Sequence, residues 1–367
     1  MTAETKSIVM VVDRHDSALG IAAHNRAKVD SRIIVLAAMD YPSPRKFIRR
    51  LEEQPLDLVL FTWRFVAWEL MILVAVSRRL NSLEGRPLIA VLIPDHLGTL
   101  PSTKTKEGKL LEAVDYFLVT SLRLAGIYSN IYPSKFRGVL HDLPSDDLIQ
   151  SVRPSETDFH DRQGFTWIGN SQWGHNMGLV DHKGYRKVVL PIASELRNVP
   201  FTMIDSADKV TSHQTVLTQL SQSRFLVQAS RDEGTGLPLL EAMGVGTIPI
   251  TTSVGIAEEV LPNDLKFLIV GRSPEEFLAC YSRLETMDLV SLSARLQVAY
   301  TDYLEEIKHE TMYFPAERSF RTIEAPMTSK LMVKMKWVFR YFRHGSCKKV
   351  RRNFNSSREG GQYSPHS

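Results

Sequence analysis

The sequence predicts an α/β protein made of two doubly wound, parallel-sheet domains in tandem. Three observations carry this. Short apolar runs rich in β-branched residues alternate with segments of helical periodicity, as in parallel strands covered on both faces. The alternation stops in a polar, proline-containing stretch, "PSDDLIQSVRPSETDFHDRQGF" (144–165), and then restarts. A chain of 367 residues also exceeds what one ordinary core organises.

The first domain, 1–150, opens with the strand "SIVMVVD" (7–13) and continues with "RIIVLAA" (32–38), "DLVLFTW" (57–63), "PLIAVLIPD" (87–95) and "YFLVTS" (116–121). Each is short, apolar and bounded by polar or turn-forming residues. Helices are expected at 42–54, with basic residues on one side, at 64–81 and at 108–115. The apolar run 65–76 contains Glu69 and is too short to cross a bilayer, which takes about 20 residues. The second domain, 160–310, repeats the pattern. Its strands are expected at 165–170, 200–205, 224–230, 247–252 and 266–270. Its helices are expected at 185–198, 213–223, 238–245, 255–261, 274–287 and 288–309. A return segment, 311–329, is expected to pack on the first domain, and 330–367 forms a basic tail. Ligands of such sheets bind beyond the C-terminal strand ends, so the cleft between two of them is the expected site.

Charge is unevenly distributed. From Lys330 onward ten Lys/Arg face one acid, Glu359; that +9 leaves −5 for residues 1–329 within the total of +4. In "LMVKMKWVFRYFRHGSCKKVRR" (331–352) cations interleave with apolar residues, and Met332, Met335, Phe339 and Phe342 fall at helical spacing. This is the pattern of a helix lying on an anionic membrane surface, and it makes nucleic acid the less favoured partner. Two cysteines, Cys280 and Cys347, build no disulfide framework and suit a reducing compartment. The N-terminal stretch lacks the features of a secretory signal, so the expected location is cytoplasmic, with peripheral attachment to the inner face of the membrane through the tail.

The chemistry concentrates in "EGTGLPLLE" (233–241), between the strand 224–230 and the helix 238–245. Pro238 suits the first helical position, which leaves Leu237 near the cap, and leucine cannot cap. The first helical N–H groups then lack a side-chain partner unless Thr235 reaches forward, and with the helix dipole they form an anion site. Gly234 and Gly236 permit close approach to the backbone. Glu233 lies before the helix and Glu241 one turn inside it. The stretch suits an extended ligand with an anionic middle and hydroxyls at both ends, such as a nucleotide sugar; it also fits a structural turn with solvated acids.

The segment "RDEGTGLPLLEAMGVGTIPITTSVGIAEEV" (231–260) resembles the donor-binding signature of the large family of retaining GT-B glycosyltransferases that includes sucrose synthase and the phosphatidylinositol mannosyltransferases. The match lies in the Glu-x7-Glu spacing, Gly236-Leu237-Pro238, Glu241-Ala242-Met243, "GTIPI" (246–250) and the pair Glu258-Glu259. Looser, collinear similarity covers 167–196 and 117–130. The resemblance implies a GT-B fold and a nucleoside-diphosphate sugar as substrate, with no cofactor and no metal. It implies that Glu233 contacts the donor sugar, Glu241 the ribose, and Gly234, Thr235, Gly236 and the Leu237 N–H the sugar and diphosphate. Lys183 matches the lysine that neutralises the leaving group, and His96 a histidine facing the sugar. The arginine usually found before that lysine is absent, so Asn170 or Arg186 is the expected substitute. On the acceptor side, Asp13 and His15 follow the first strand.

These expectations describe a glycosyltransferase acting on a glycan or lipid-linked acceptor in cell-surface polysaccharide or glycolipid synthesis. Preorganised positive groups would stabilise the departing diphosphate, and no Asp-x-Asp run is present. The alternatives are a catalytically silent nucleotide-sugar or glycan-binding protein and a GT-B sugar-nucleotide epimerase. A nicotinamide dehydrogenase is disfavoured, because neither first strand is followed by Gly-x-Gly-x-x-Gly. The glycine-punctuated loop 170–184, which contains Trp173, is expected to close over the donor.

Overall fold

The structure, a computed structural model, describes residues 7–54, 56–62, 77, 80, 86–96, 105–154, 156–175, 178–310, 312 and 314. The first sheet holds β1 (Ile8–Val12), β2 (Ile33–Ala37), β3 (Leu58–Phe61), β4 (Leu88–Ile93), β5 (Tyr116–Val119) and β6 (Phe136–Val139). Their order is β2-β1-β3-β4-β5-β6, all parallel. Every residue of β1, β3, β4 and β5 is buried. Successive side chains point to opposite faces. Val9 and Val11 therefore join one core with Val59, Phe61 and Val91, while Ile8, Met10 and Val12 join another with Leu58, Leu60 and Leu92. Two-sided burial is why these strands read as unbroken apolar runs.

Around this sheet lie α1 (Ala18–Val29), α2 (Pro44–Glu52), α3 (Lys106–Ala113) and α4 (Leu122–Ile131), while α5 (Asp146–Val152) packs on the core of the second domain. Ser17, Ser43, Thr105 and Ser121 cap the first four through their hydroxyls. The second sheet, β7 (Phe165–Gly169), β8 (Phe201–Asp205), β9 (Phe225–Gln228) and β10 (Ile248–Thr251), runs in the order β10-β9-β7-β8 and is also parallel. Its helices are α6 (Leu190–Glu195), α7 (His213–Gln222), α8 (Leu237–Val245), α9 (Ala257–Val260), α10 (Pro274–Leu284) and α11 (Leu289–Lys308).

Several elements differ from expectation. The strand β6 and the helix α1 were not anticipated. The segment 266–270 is no strand: Asn263–Leu268 forms a 3-10 turn, and only Ile269 bridges Thr251. The helix expected at 185–198 starts with a π-turn, Tyr185–Val189, before α6. The helix expected at 64–81 lies outside the described residues except for Ser77 and Leu80, as do Trp63 and the tail from 315. Of the return segment, Met312 is buried in the core under the first sheet. Among the described residues no helix is long and apolar enough to cross a membrane.

Candidate donor site in the cleft between the sheets

A cleft of about 440 Å³ opens where the C-terminal strand ends of the two sheets face each other. One wall comes from the first domain: Ala18 and Leu19 at the start of α1, Pro94 and Asp95 beyond β4, and Asp142 beyond β6. The other wall comes from the second domain and includes Asn170 beyond β7, Ser206 and Lys209 beyond β8, and the stretch Asp232–Pro238 beyond β9.

The domains are tied across this cleft. Gly234 packs so tightly on the first domain that an added Cβ would lie 1.5 Å from the Pro94 carbonyl oxygen. Its lack of a side chain thus serves the domain contact as well as any ligand. Thr235 Oγ1 donates to Asp142 Oδ2 at 2.9 Å. Arg123, on α4, pairs with Asp232. Glu259 accepts from the Leu122 N–H at the start of α4 (2.8 Å) and from His141 Nε2 (2.9 Å). His141 also donates through Nδ1 to Glu310 Oε1 at 2.5 Å, and the same glutamate takes Arg26. Burial works against a charged His141, but the hydrogen bonds to Glu259 and Glu310 outweigh it and raise its pKa to about 9.

Inside the cleft, Glu233 Oε1 accepts from Lys183 Nζ and from Ser230 Oγ, the latter at 2.6 Å. Lys183 Nζ also lies 5.7 Å from the centroid of the Trp173 ring, within reach of a cation–π contact. Its loop is clamped from below. Asp181 takes the N–H groups of Arg186 and Lys187, at 2.9 and 3.0 Å, and Arg272 donates to the Asp181 carbonyl. His182 stacks near Trp173 and donates Nε2–H to the Asp232 carbonyl at 3.0 Å. Burial, and then the neighbouring Lys183 charge, lower its pKa.

The helix α8 begins one residue earlier than expected. Gly236 is its cap, at φ +80°, a left-handed conformation that suits glycine. Leu237 and Pro238 are its first residues, and no side chain caps it. Thr235 does not reach forward, since its hydroxyl is turned to Asp142. Pro238 has no N–H and the Leu239 N–H donates to the Gly236 carbonyl at 2.9 Å, so the Leu237 N–H is what the start of α8 leaves without a side-chain partner, in the cleft lining with Lys183 and Glu233. Glu241, one turn inside α8, is buried and accepts from His213 Nε2 at 2.7 Å. That bond, ahead of burial, raises the His213 pKa. Glu241 is not itself part of the cleft lining.

Glu233, Lys183, Asn170 and Gly234 to Leu237 thus come together in the cleft. Asn170 uses its side-chain oxygen to accept from the Gln172 N–H, which leaves its amide nitrogen for other contacts. Arg186 does not join them: it is exposed and outside the lining, because the Asp181 turn sends it outward at the start of the π-turn. Asp13 and His15 are also not brought in. Asp13 takes the Ser17 hydroxyl at 2.6 Å, and His15 pairs with His24 and Asp40. His96 lies next to the cleft, against Asp232 at 3.8 Å and edge-on to Tyr128. Lys209, His182 and Asp142 line the cleft without having been singled out in the sequence. Their only advance signal is position, at or near the C-terminal ends of strands or in the lysine loop. Among the described residues no group of three or more potential ligands is arranged to hold a metal.

Residues 209–297 match the family described as glycosyl transferases group 1. No curated protein matches the chain. Among solved structures, a glycosyltransferase from Rickettsia africae is 12% identical with a TM-score of 0.53, covering 83% of this chain and 96% of its own. The trehalose-6-phosphate synthase OtsA is 10% identical with a TM-score of 0.55, covering 83% and 100%. Anabaena HepE, solved with UDP and glucose, is 12% identical with a TM-score of 0.51, covering 83% and 97%. The chain therefore has the GT-B fold, and its similarity to the glycosyl transferases group 1 family lies in residues 209–297.

Proposed function

We propose that the protein moves a sugar, with retention of configuration and without a metal, from a nucleoside-diphosphate sugar to an acceptor hydroxyl. The observation that carries this is the meeting of Lys183, Glu233 and the uncapped N-terminus of α8 in one interdomain cleft. An ammonium and a helix terminus meet the charge that develops on a departing diphosphate. Glu233, beside them, faces the sugar hydroxyls and the cationic character at the anomeric carbon. Glu241 serves the ribose from behind the lining, and the Asn170 amide supports the phosphates in place of an arginine. The fold relative HepE is solved with UDP and glucose, which fits a cleft of this size and charge.

Nucleoside-diphosphate sugars should stabilise the chain, by about 2.7 kcal/mol at a hundredfold excess over Kd. Nucleoside diphosphate should then be released only when a hydroxylated acceptor is added. Absence of any thermal shift across UDP-, GDP- and ADP-sugars overturns the reading. Binding without release with any acceptor favours the silent binder, which the outward Arg186 also suits. Turnover without acceptor favours epimerase-type chemistry. A membrane-borne glycan or lipid-linked acceptor at the inner face of the membrane follows from the basic stretch 331–352. Flotation with anionic and neutral vesicles tests this, and equal behaviour with both sinks it.

A further inference from the structure

Asp232 stands between two imidazoles. On one side its backbone carbonyl accepts from His182 Nε2. A carbonyl can only accept, so the His182 proton sits on Nε2 and Nδ1 is a bare lone pair. That ring is 4% exposed, lines the cleft, and is kept neutral by burial and by Lys183. Its Nδ1 has no hydrogen-bond partner among the described residues. On the other side the carboxylate divides its oxygens. Oδ1 takes the Arg123 guanidinium from the first domain. Oδ2 is sealed from solvent, has no hydrogen-bond partner among the described residues, and faces His96 Nδ1 at 3.8 Å. His96 Nε2 is likewise buried and unpartnered among those residues.

Three partnerless buried polar atoms around one residue are uncommon, because native interiors satisfy nearly all of theirs. The 3.8 Å separation is too long for a hydrogen bond, which needs about 2.7–3.2 Å, yet close enough for the carboxylate to hold a proton on the nitrogen that faces it. Asp232 belongs to the second domain and His96 to the first, so closing the cleft by roughly 1 Å would complete the bond. We propose that Asp232 is a positioning residue that fixes both tautomers, His182 through its carbonyl and His96 through its carboxylate, so that the cleft, as it closes on a donor sugar, can bring a hydroxyl to the bare nitrogen of each ring, both of which are buried in the open form. The hydroxyl partner rests on the donor-site reading above; the tautomers do not. A sugar lacking the matching hydroxyls leaves those nitrogens unsatisfied, which gives the site a means to reject it.

Imidazole nitrogen NMR on the 15N-labelled, ligand-free full chain reads the tautomers directly, at about pH 8, above the ordinary histidine pKa. The wild type should show His96 protonated on Nδ1 and His182 on Nε2. In Asp232→Asn the Arg123 guanidinium keeps the amide oxygen, which turns the NH2 toward His96. That NH2 can only donate, so His96 should switch to the Nε2–H form while His182 is unmoved. Arg123→Gln removes the interdomain pair but leaves the carboxylate, so both histidines should keep their wild-type forms. A wild-type His96 protonated on Nε2, or one unchanged in Asp232→Asn, overturns the proposal. So does a switch in Arg123→Gln, since Asp232 would then act only as a domain tie. With a donor identified by thermal shift, Asp232→Asn should lower kcat about tenfold or more and leave the Kd for the nucleoside diphosphate, which has no sugar, within about twofold. If the tautomers behave as stated but no nucleotide sugar binds, the donor-site reading fails and the positioning role of Asp232 stands.

Discussion

Glu233 and Glu241 follow the same strand eight positions apart, and each accepts from a basic side chain, yet the two pairs are built differently. Glu233 is held by Lys183, itself part of the cleft lining, and the two side chains are 17% and 19% exposed. Glu241 is held by His213, which lies outside the lining, and its own side chain is 7% exposed. On the proposed reading a diphosphate entering the cleft competes for Lys183, which makes the first pair an exchange waiting for a ligand. Nothing in the cleft competes for His213, so the second pair is a fixed mount. On that reading two identical side chains in one motif take opposite tasks: one changes partner during a cycle, the other keeps its geometry.

The strongest way to break this comparison is Glu233→Gln. It keeps the shape but removes the charge beside a developing cation, and it should lower turnover by two or more orders of magnitude, about 3 kcal/mol. Binding of the free nucleoside diphosphate should hold or tighten, because Lys183 loses its competitor. Calorimetry that shows binding falling together with turnover would make Glu233 structural. Next in size is Glu241→Ala, which should weaken nucleoside diphosphate and nucleotide sugar alike by roughly 1.5–3 kcal/mol. If both variants bind the nucleoside diphosphate as the wild type does, the donor reading of the stretch loses its main support. The smallest effect is expected for His213→Gln and shows in stability against pH. Glu241 raises the folded-state pKa of His213, so the pair's contribution is complete below the unfolded pKa of about 6.5 and is lost as pH rises through the raised value. The difference in Tm between wild type and variant should be widest below pH 6.5 and shrink above it. A gap that stays constant from pH 5 to 9 would show that the mount is not ionic.

The parts legible in the sequence were those whose physics is local. The strands β1, β3, β4 and β5 are buried on both faces and could hardly be written other than as apolar runs. The strand β6 escaped because it is four residues long, lies at the sheet edge and carries the exposed Arg137. The helix α1, "ALGIAAHNRAKV", buries Asn25 and Arg26 on its packed side, so no apolar stripe marks it. The run 266–270 is apolar enough for a strand, but periodicity cannot separate so short a run from a packed turn. At the site, Glu233 and Glu241 are marked by spacing within one stretch. Asp232 sits in the same stretch and passed without a role, because Arg123 and His96 reach it from more than a hundred residues away. Arg186 was misplaced for a related reason: its direction is set by the Asp181 turn, which no linear pattern displays. Glu259 read as the second acid of a family pair, whereas its carboxylate joins the two domains.

That last contact bears on how such a chain can be rearranged. A donor half cut free near residue 155 would carry Glu259 and Glu310 without His141 and Arg26, and Asp232 without Arg123. The remaining half would keep the Arg26 guanidinium, the His141 imidazole and the bare Leu122 N–H, all made for partners it no longer has and uncompensated once a mismatched half covers them. Uncompensated charges of this kind cost several kcal/mol each in a buried setting. The halves of this protein are therefore poor exchangeable modules. A chimera that swaps the donor half for a relative's should fold only if the incoming half brings matching acids at positions 232, 259 and 310, so the two halves are constrained to change together.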